Sequence, residues 1–406
     1  MKKIIYFLVT LVLLFATLDG LRDTFFPDNP ISYIKELAAI TLFILLLMLM
    51  IRKKANISKG MIIGFNIFLL FLLFVSFATT KYADTTIIRA GLGFGGWSVW
   101  IKLLALYCLI NSLYFLSILY PDIYYKIPKR YANFTMIYCI ITLFFILTGL
   151  SSNLNSRNWA GRLSIGYPTM DSFVLIAAII FTIFFIKNKK QKTIYNIVFI
   201  VVLIMQNTAT GYIMLAGLGG LMMLSLKGTY KTIPVFLGAI AIYVGYLVYD
   251  SLWMYMGRFG ILFVDKINGF IFGADTSSID LRQTQITILL KDMESYYLYV
   301  LFGKGGNEAY LVESTYYAFY GFCGLIGLAL FVFSLLLFLG KLPKSFKTKT
   351  YYCHSFYMAT LFVISSAGLI GFYLYPLIFI YSYLVSVYCS KEFEHIQRIN
   401  FLNEKV

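Results

Sequence analysis

Long apolar segments constrain this chain most, because about 20 consecutive apolar residues can cross a lipid bilayer as a helix. Apolar residues make up 60% of the 406 residues, and charged residues only 13%. Soluble domains carry about twice that charged share. The sequence therefore excludes a soluble globular enzyme, a disordered chain and a disulfide scaffold. It predicts an all-α polytopic integral membrane protein that forms a single transmembrane domain over residues 1–406.

The apolar segments predict about 12 transmembrane helices. The predicted spans cover residues 4–18, 32–51, 61–80, 99–120, 133–150, 169–186, 193–208, 210–226, 233–251, 317–340, 354–371 and 373–389. The last two are expected to be joined by a turn at Gly371–Pro376. The largest connection lies between the ninth and tenth spans.

The positive charges predict how the spans are oriented, because Lys and Arg favour cytoplasmic loops. With both termini in the cytoplasm, the inner segments hold 22 Lys and Arg against 4 Asp and Glu, a net charge of +18. The outer segments then hold 12 Lys and Arg against 14 Asp and Glu, a net charge of −2. Shifting the pattern by one helix would destroy this asymmetry, so we expect both termini to be cytoplasmic.

Two outer loops, residues 151–169 and 252–316, carry arginines on an otherwise slightly acidic side. The planar guanidinium group binds phosphate oxygens through two parallel hydrogen bonds. The arginines of these loops are Arg157, Arg162, Arg258 and Arg282. We predict that they converge on a lipid pyrophosphate, with ion pairs to Asp or to lipid headgroups as the alternative for each. Arg282 is expected on a helix that begins near Ile279.

The long outer loop also contains glycines at Gly303 and Gly305, followed by Gly324 and Gly327 in the next span. We expect the first two to form a tight turn that brings backbone close to a substrate. The second two are expected to allow close helix packing.

Taken in order, these features resemble the O-antigen polymerase and O-antigen ligase family. The matching parts are Arg157 and Arg162 with Gly166-Tyr167-Pro168, then Arg282, then Phe302-Gly303-Lys304-Gly305, then Glu313 ahead of Gly324-Leu325-Ile326-Gly327. They lie within about residues 150–340. The ligases carry a histidine at the place of Glu313, so the glutamate favours a polymerase.

The resemblance implies glycosyl transfer on the outer face of the bacterial plasma membrane. Oligosaccharide repeat units carried on undecaprenyl pyrophosphate would be joined there into a surface polysaccharide by a protein with a GT-C-like fold. The bond energy is carried by the pyrophosphate, and the inner loops contain no Walker-type phosphate loop. We therefore expect no cofactor, no metal and no nucleic-acid partner. Besides the lipid bilayer, the resemblance suggests a flippase and a chain-length regulator as partners.

Arg282 and Glu313 are the predicted catalytic residues of this reaction. Arg282 would neutralise the charge that develops on the leaving pyrophosphate. Glu313 would act as the base for the acceptor hydroxyl, with a helix N-terminal cap as the alternative role. The residues predicted to bind substrate are Arg157, Arg162, Arg258, Lys304 and Tyr316.

Two other functions stay open. A transporter such as a lipid-linked oligosaccharide flippase should carry ionisable residues deep within its spans, or broken helices. Here the span interiors are almost free of charge, with Lys35, Glu36 and Lys102 near predicted outer ends. An outer histidine would favour an O-antigen ligase-type transferase. Both histidines of the chain, His354 and His395, instead fall on the predicted inner side.

Overall fold

The computed structural model describes residues 1–25, 33–54, 61–81, 96–149, 163–225, 277–304, 312, 314–340, 352–369 and 371–390. Within these residues every regular element is a helix, as the sequence predicts. The helices are α1 (Lys2–Phe25), α2 (Ile34–Arg52), α3 (Met61–Lys81), α4 (Gly96–Leu119), α5 (Pro121–Tyr124), α6 (Ile127–Leu147), α7 (Pro168–Phe185), α8 (Lys189–Gln206), α9 (Ala209–Ser225), α10 (Ser277–Met293), α11 (Tyr297–Phe302), α12 (Thr315–Gly340), α13 (Tyr352–Ser365) and α14 (Tyr375–Cys389).

Among the described helices, six are long and apolar enough to cross a membrane. They are Lys2–Arg22, Ile34–Arg52, Trp100–Leu119, Pro121–Leu147, Pro168–Phe185 and Thr315–Leu336. Four shorter apolar helices accompany them, within α3, α9, α13 and α14. Eleven of the twelve predicted spans overlap a helix, and the remaining one, residues 233–251, lies outside the described residues. This is the helical pattern of a polytopic membrane protein.

The centre of the helix bundle is formed by α7 and α14, which are buried along almost their whole length. Both begin with a proline in the first turn, where the missing N–H is no loss. The outer helices instead expose one apolar face: on α2, Leu42 and Leu46 are buried, whereas Ile44 and Met48 are 49% and 60% exposed. Apolar side chains that cover the outside of a bundle in this way match a lipid environment.

Side chains from several helix ends meet at each of the two ends of α1. On the predicted inner side, Lys2 Nζ lies 2.8 Å from Asp122 Oδ2. The guanidinium of Arg130 lies 3.9 Å from the centroid of the Tyr6 ring. The opposite ends of α1, α2 and α4 meet one another through the charged side chains described in the next section. The cytoplasmic placement of the first group is a prediction from the charges.

The connection between α13 and α14 is longer than the predicted turn at Gly371–Pro376. Helix α13 ends at Ser365 and α14 begins at Tyr375, with Pro376 inside its first turn. The connecting segment, residues 366–374, is called the outer turn below. Leu369 and Phe372 within it are buried, which is why its sequence resembles the spans beside it.

Cysteine labelling tests the predicted orientation directly. A membrane-impermeant thiol reagent added to intact cells is expected to modify Ser277→Cys and to leave Lys189→Cys unmodified. Both positions open a helix, and Lys189 is exposed, so access to the reagent is not limited by burial. Cys108, Cys139 and Cys323 are buried but Cys389 is partly exposed, so the unmodified chain is labelled in parallel to measure the background. Labelling of Lys189→Cys but not of Ser277→Cys would show that the orientation is the opposite of the predicted one.

Candidate functional site

Five charged side chains meet where α1, α2 and α4 end on the predicted outer side. This outer cluster consists of Asp19, Arg22, Lys35, Glu36 and Lys102. Lys35 Nζ donates to both carboxylate oxygens of Asp19, at 2.9 and 2.8 Å, and Arg22 Nε donates to Oδ1 at 2.9 Å. The side chains of Lys35 and Asp19 are only 4% and 7% exposed, so this pair is held away from water.

Lys102 and Glu36 form the second half of the outer cluster. Lys102 Nζ donates to the carbonyl of Tyr373 at 3.2 Å and lies 3.9 Å from the centroid of that ring. Glu36 Oε1 is 4.0 Å from Lys102 Nζ. Glu36 Oε2 is buried and accepts no hydrogen bond from any residue that the structure describes. Three cations and two carboxylates give the outer cluster a formal net charge of +1.

The outer end of α1 is brought against the start of α7 by glycines. A Cβ on Gly20 would lie within 2.2 Å of a carboxylate oxygen of Asp171, and one on Gly166 within 2.3 Å of the other. The Asp171 carboxylate therefore packs directly on backbone at both places. It stands in the first turn of α7, where the helix dipole favours a negative charge.

The outer turn connects the outer cluster to the start of α12. The N–H of Thr315 donates to Ser366 O at 2.7 Å, and its hydroxyl donates to Leu369 O at 2.6 Å. The N–H of Gly371 in turn donates to the Thr315 hydroxyl at 2.6 Å. Two residues further on, Tyr373 binds Lys102. A single segment thus ties the chain just after position 313 to the charged ends of α1, α2 and α4.

Most of the sequence-predicted site residues lie outside the part that the structure describes. These are Arg157, Arg162, Arg258 and Glu313, together with the side chain of Arg282. The helix predicted near Ile279 is confirmed, since α10 begins at Ser277 and carries Arg282. The residues on either side of Glu313, Val312 and Ser314, are both buried. The convergence of the four arginines stays a prediction.

The two remaining candidates are described and contact protein. Lys304 Nζ pairs with Asp292 Oδ2 at 2.5 Å, and the backbone N–H of Lys304 donates to Gly321 O at 2.8 Å. Tyr316 is half-buried, and its hydroxyl donates to Val363 O at 3.0 Å. Lys304 therefore holds the end of α11 to α12, and Tyr316 holds α12 to α13. Whether either also contacts a substrate stays a prediction.

The described part of the long outer loop packs on the outer end of α12. A small apolar core forms there from the fully buried side chains of Leu289, Met293 and Val312. Ile286 of α10, Tyr299 of α11 and Tyr320 of α12 pack around it. The helix that carries Arg282 is therefore fixed at the first turns of α12, a helix able to cross a membrane.

Gly303 and Gly324 lock α11 to α12 by a reciprocal backbone contact. Their φ angles are +77° and +66°, a region that side chains with a Cβ rarely adopt. A Cβ on Gly303 would lie 2.4 Å from the Phe322 carbonyl, and one on Gly324 would lie 2.3 Å from the Leu301 carbonyl. The close packing predicted for Gly324 is confirmed, and it breaks α12 at that residue. The sequence predicts that the Gly303 backbone approaches a substrate, and in the structure it packs against the backbone of α12.

Replacing Gly324 with Ala is expected to destabilise the protein by about 2 kcal/mol or more, because the backbone must stay at positive φ with a Cβ against a carbonyl. The matched control is Gly64→Ala, since a Cβ on Gly64 of α3 meets nothing within 4 Å. Ala also has the higher helix propensity. Thermal unfolding in detergent should show a lower midpoint for Gly324→Ala only. Equal midpoints would contradict the clamped geometry.

The sequence does not reveal the outer cluster as a site. It places Lys35, Glu36 and Lys102 near predicted outer ends, but it does not show that they meet Asp19 and Arg22. The available signal was Asp19 inside an otherwise apolar helix, because a carboxylate in such a place needs a partner. Among the described residues, no three His, Cys, Asp or Glu side chains gather as metal ligands.

The described part of the chain defines a class of protein: a helical protein with several helices able to cross a membrane, and a buried cluster of charges at one end. No family model matches the sequence, and no curated protein or solved structure matches it significantly.

Proposed function

We propose that the chain is a glycosyltransferase of the bacterial plasma membrane. It joins undecaprenyl-pyrophosphate-linked oligosaccharide repeat units into a surface polysaccharide on the outer face. The observation that carries the proposal is the outer cluster, tied to the start of α12 through Tyr373 and Thr315. Buried charges in a helical membrane protein are costly and mark functional sites.

The reaction needs cations for the leaving group and a base for the acceptor. The acceptor sugar hydroxyl attacks the anomeric carbon of the donor, a new C–O bond forms, and the bond to the pyrophosphate oxygen breaks. Arg282, with Arg157, Arg162 and the weaker candidate Arg258, neutralises the departing pyrophosphate. Glu313 takes the hydroxyl proton. The outer cluster adds a positive charge within a dry environment, where attraction of an anion is stronger than in water.

The fold of the outer loop supports the same proposal. Helices α10 and α11 have their own small core and are fixed to the end of α12 by Lys304 and Gly324. An outer segment built in this way is suited to cover a lipid-borne substrate, because excluded water strengthens every contact with the pyrophosphate. The lipid bilayer delivers the substrate, and a flippase and a chain-length regulator would be its partner proteins.

A transporter of lipid-linked oligosaccharide is the second candidate, and two observations favour it. The outer cluster places buried ionisable groups on membrane-spanning helices, and α12 is broken at Gly324. Both features are typical of transporters. The buried charges weaken the argument from sequence against a transporter, which is based on spans that are almost free of charge.

An assay in detergent separates the candidates, because a micelle has no compartments between which a lipid could be moved. The purified chain is mixed with an undecaprenyl-pyrophosphate-linked repeat unit as both donor and acceptor. We expect joined repeat units and free undecaprenyl pyrophosphate, and neither with Arg282→Ala.

Two other results would contradict the polymerase. Transfer only to a lipid acceptor that lacks a repeat unit would identify an O-antigen ligase-type transferase. Absence of product in detergent, together with movement of the same lipid across proteoliposomes, would identify a transporter.

A further inference from the structure

Helix α11 contacts α12, and its Tyr299 packs on the small core of Leu289, Met293 and Val312, yet much of its surface stays exposed. Its six residues, Tyr297–Phe302, are all apolar or tyrosine, and none of them is buried. Tyr297 is 68% exposed, and Leu301 and Phe302 are each 40% exposed. Exposed apolar side chains gathered in this way mark a surface that contacts a partner or a membrane.

The glycine contact fixes the level of α11 along α12. Gly324 approaches the carbonyl of Leu301 and follows Thr315, the first residue of a helix able to cross the membrane, by nine residues. At 1.5 Å per residue, this is about 13 Å along the helix. The end of α11 thus lies beside the apolar stretch of α12 that is long enough to cross a membrane, and not beyond the end of that stretch.

The exposed side of α11 continues the lipid-facing surface of α12. Just beyond Gly324, Leu325 and Ile326 are 48% and 37% exposed, and Phe333 further along is 58% exposed. Apolar side chains on the outside of a spanning helix face lipid. Leu301 and Phe302, whose backbone contacts Gly324, are exposed at the same level of α12.

The charges that flank α11 are compatible with this position. Between Glu294 and Lys304 the sequence contains no charged residue. Lys304 is neutralised by Asp292 at 2.5 Å, and its ammonium group lies 5.1 Å from the centroid of the Tyr299 ring. The charged end of the segment therefore does not need full hydration.

We propose that residues 295–304 form a re-entrant segment that rests in the outer leaflet, at the boundary between headgroups and acyl chains. Tyr296 and Tyr297 lie at the headgroup level, which tyrosine prefers. Leu301 and Phe302 lie among the acyl chains, at the depth of about 5–10 Å that interfacial helices reach. The partner of this surface is the lipid itself, and the proposal does not depend on the transfer reaction.

Fluorescence quenching in vesicles tests the proposal. Leu301→Cys and Lys291→Cys are each labelled with a thiol-reactive fluorophore and reconstituted into phosphatidylethanolamine and phosphatidylglycerol vesicles. Lys291 is the matched control, because it is exposed on the neighbouring helix α10. The label at position 301 is expected to lose most of its emission with brominated acyl chains and little with aqueous iodide. The label at position 291 should do the reverse.

Two outcomes would overturn the proposal. A label at position 301 that iodide quenches as strongly as the label at position 291 would place α11 in water. A label that neither quencher reaches would place α11 under other parts of the protein. If Leu301→Cys does not fold, Phe302→Cys serves in its place, since the two side chains are equally exposed. The unmodified chain gives the background from native cysteines.

Discussion

Cells in which Arg282 is replaced by Ala are expected to accumulate single repeat units in place of polymer. Loss of one group that stabilises developing charge slows a reaction by about 100- to 1000-fold, and a chain built by repeated transfer is then not completed. Gel electrophoresis of the surface polysaccharide measures the result, and immunoblotting of membranes shows that the variant is still present.

Two further variants show whether position and geometry matter or only charge. Lys291→Ala removes one positive charge from the same helix α10 at an exposed site, and normal polymer is expected. Arg282→Lys keeps the charge but loses the planar fork, so partial activity is expected. Normal chain length with Arg282→Ala in a stably expressed protein would remove Arg282 from the site.

Replacing Asp19 with Asn is expected to cost about 3–5 kcal/mol of unfolding free energy, because Lys35 is left buried without its carboxylate partner. The side chains of the pair are 7% and 4% exposed, so solvent screens the interaction little. Unfolding of the purified protein in detergent, followed by circular dichroism, measures the loss.

A double substitution and an exposed pair serve as controls for Asp19→Asn. Adding Lys35→Met removes the orphaned charge, and we expect it to recover a large part of the lost stability. Asp122→Asn breaks the ion pair with Lys2, whose side chains are 53% and 60% exposed, and should change stability little. Equal losses for Asp19→Asn and Asp122→Asn would show that the outer cluster does not stabilise the fold.

The helices could be predicted from sequence because lipid offers the backbone no hydrogen-bond partners. A segment in the membrane must satisfy its own N–H and C=O groups, so long apolar runs become helices. For this reason α7 coincides with the predicted span 169–186 to within one residue at each end. The connection 366–374 was placed less well, because its buried Leu369 and Phe372 resemble residues of a span.

The outer cluster could not be predicted from sequence, since its members are brought together only by packing. Asp19 and Lys35 are 16 residues apart, and Lys102 reaches them from a third helix. Spacing rules describe neighbours on one helix, such as Asp19 and Arg22, and not partners on different helices. The predicted convergence of arginines from two outer loops likewise concerns residues far apart in sequence, so spacing along the chain does not establish it.

Gly324 shows a third limit of sequence reasoning. Its Gly-Leu-Ile-Gly context predicts close packing between helices, and that is what the structure contains. The sequence does not reveal that the residue adopts a positive φ and interrupts α12, because glycine permits helical and non-helical angles alike. The Leu301 carbonyl, which comes from a distant part of the chain, selects between them.

The break at Gly324 divides α12 into a short segment, Thr315–Cys323, and a longer one. The first residue of the short segment, Thr315, is hydrogen-bonded to the outer turn. We expect a shift of the short segment to act on residues 366–374, and through them on the carbonyl that binds Lys102, rather than on the helix beyond Gly324.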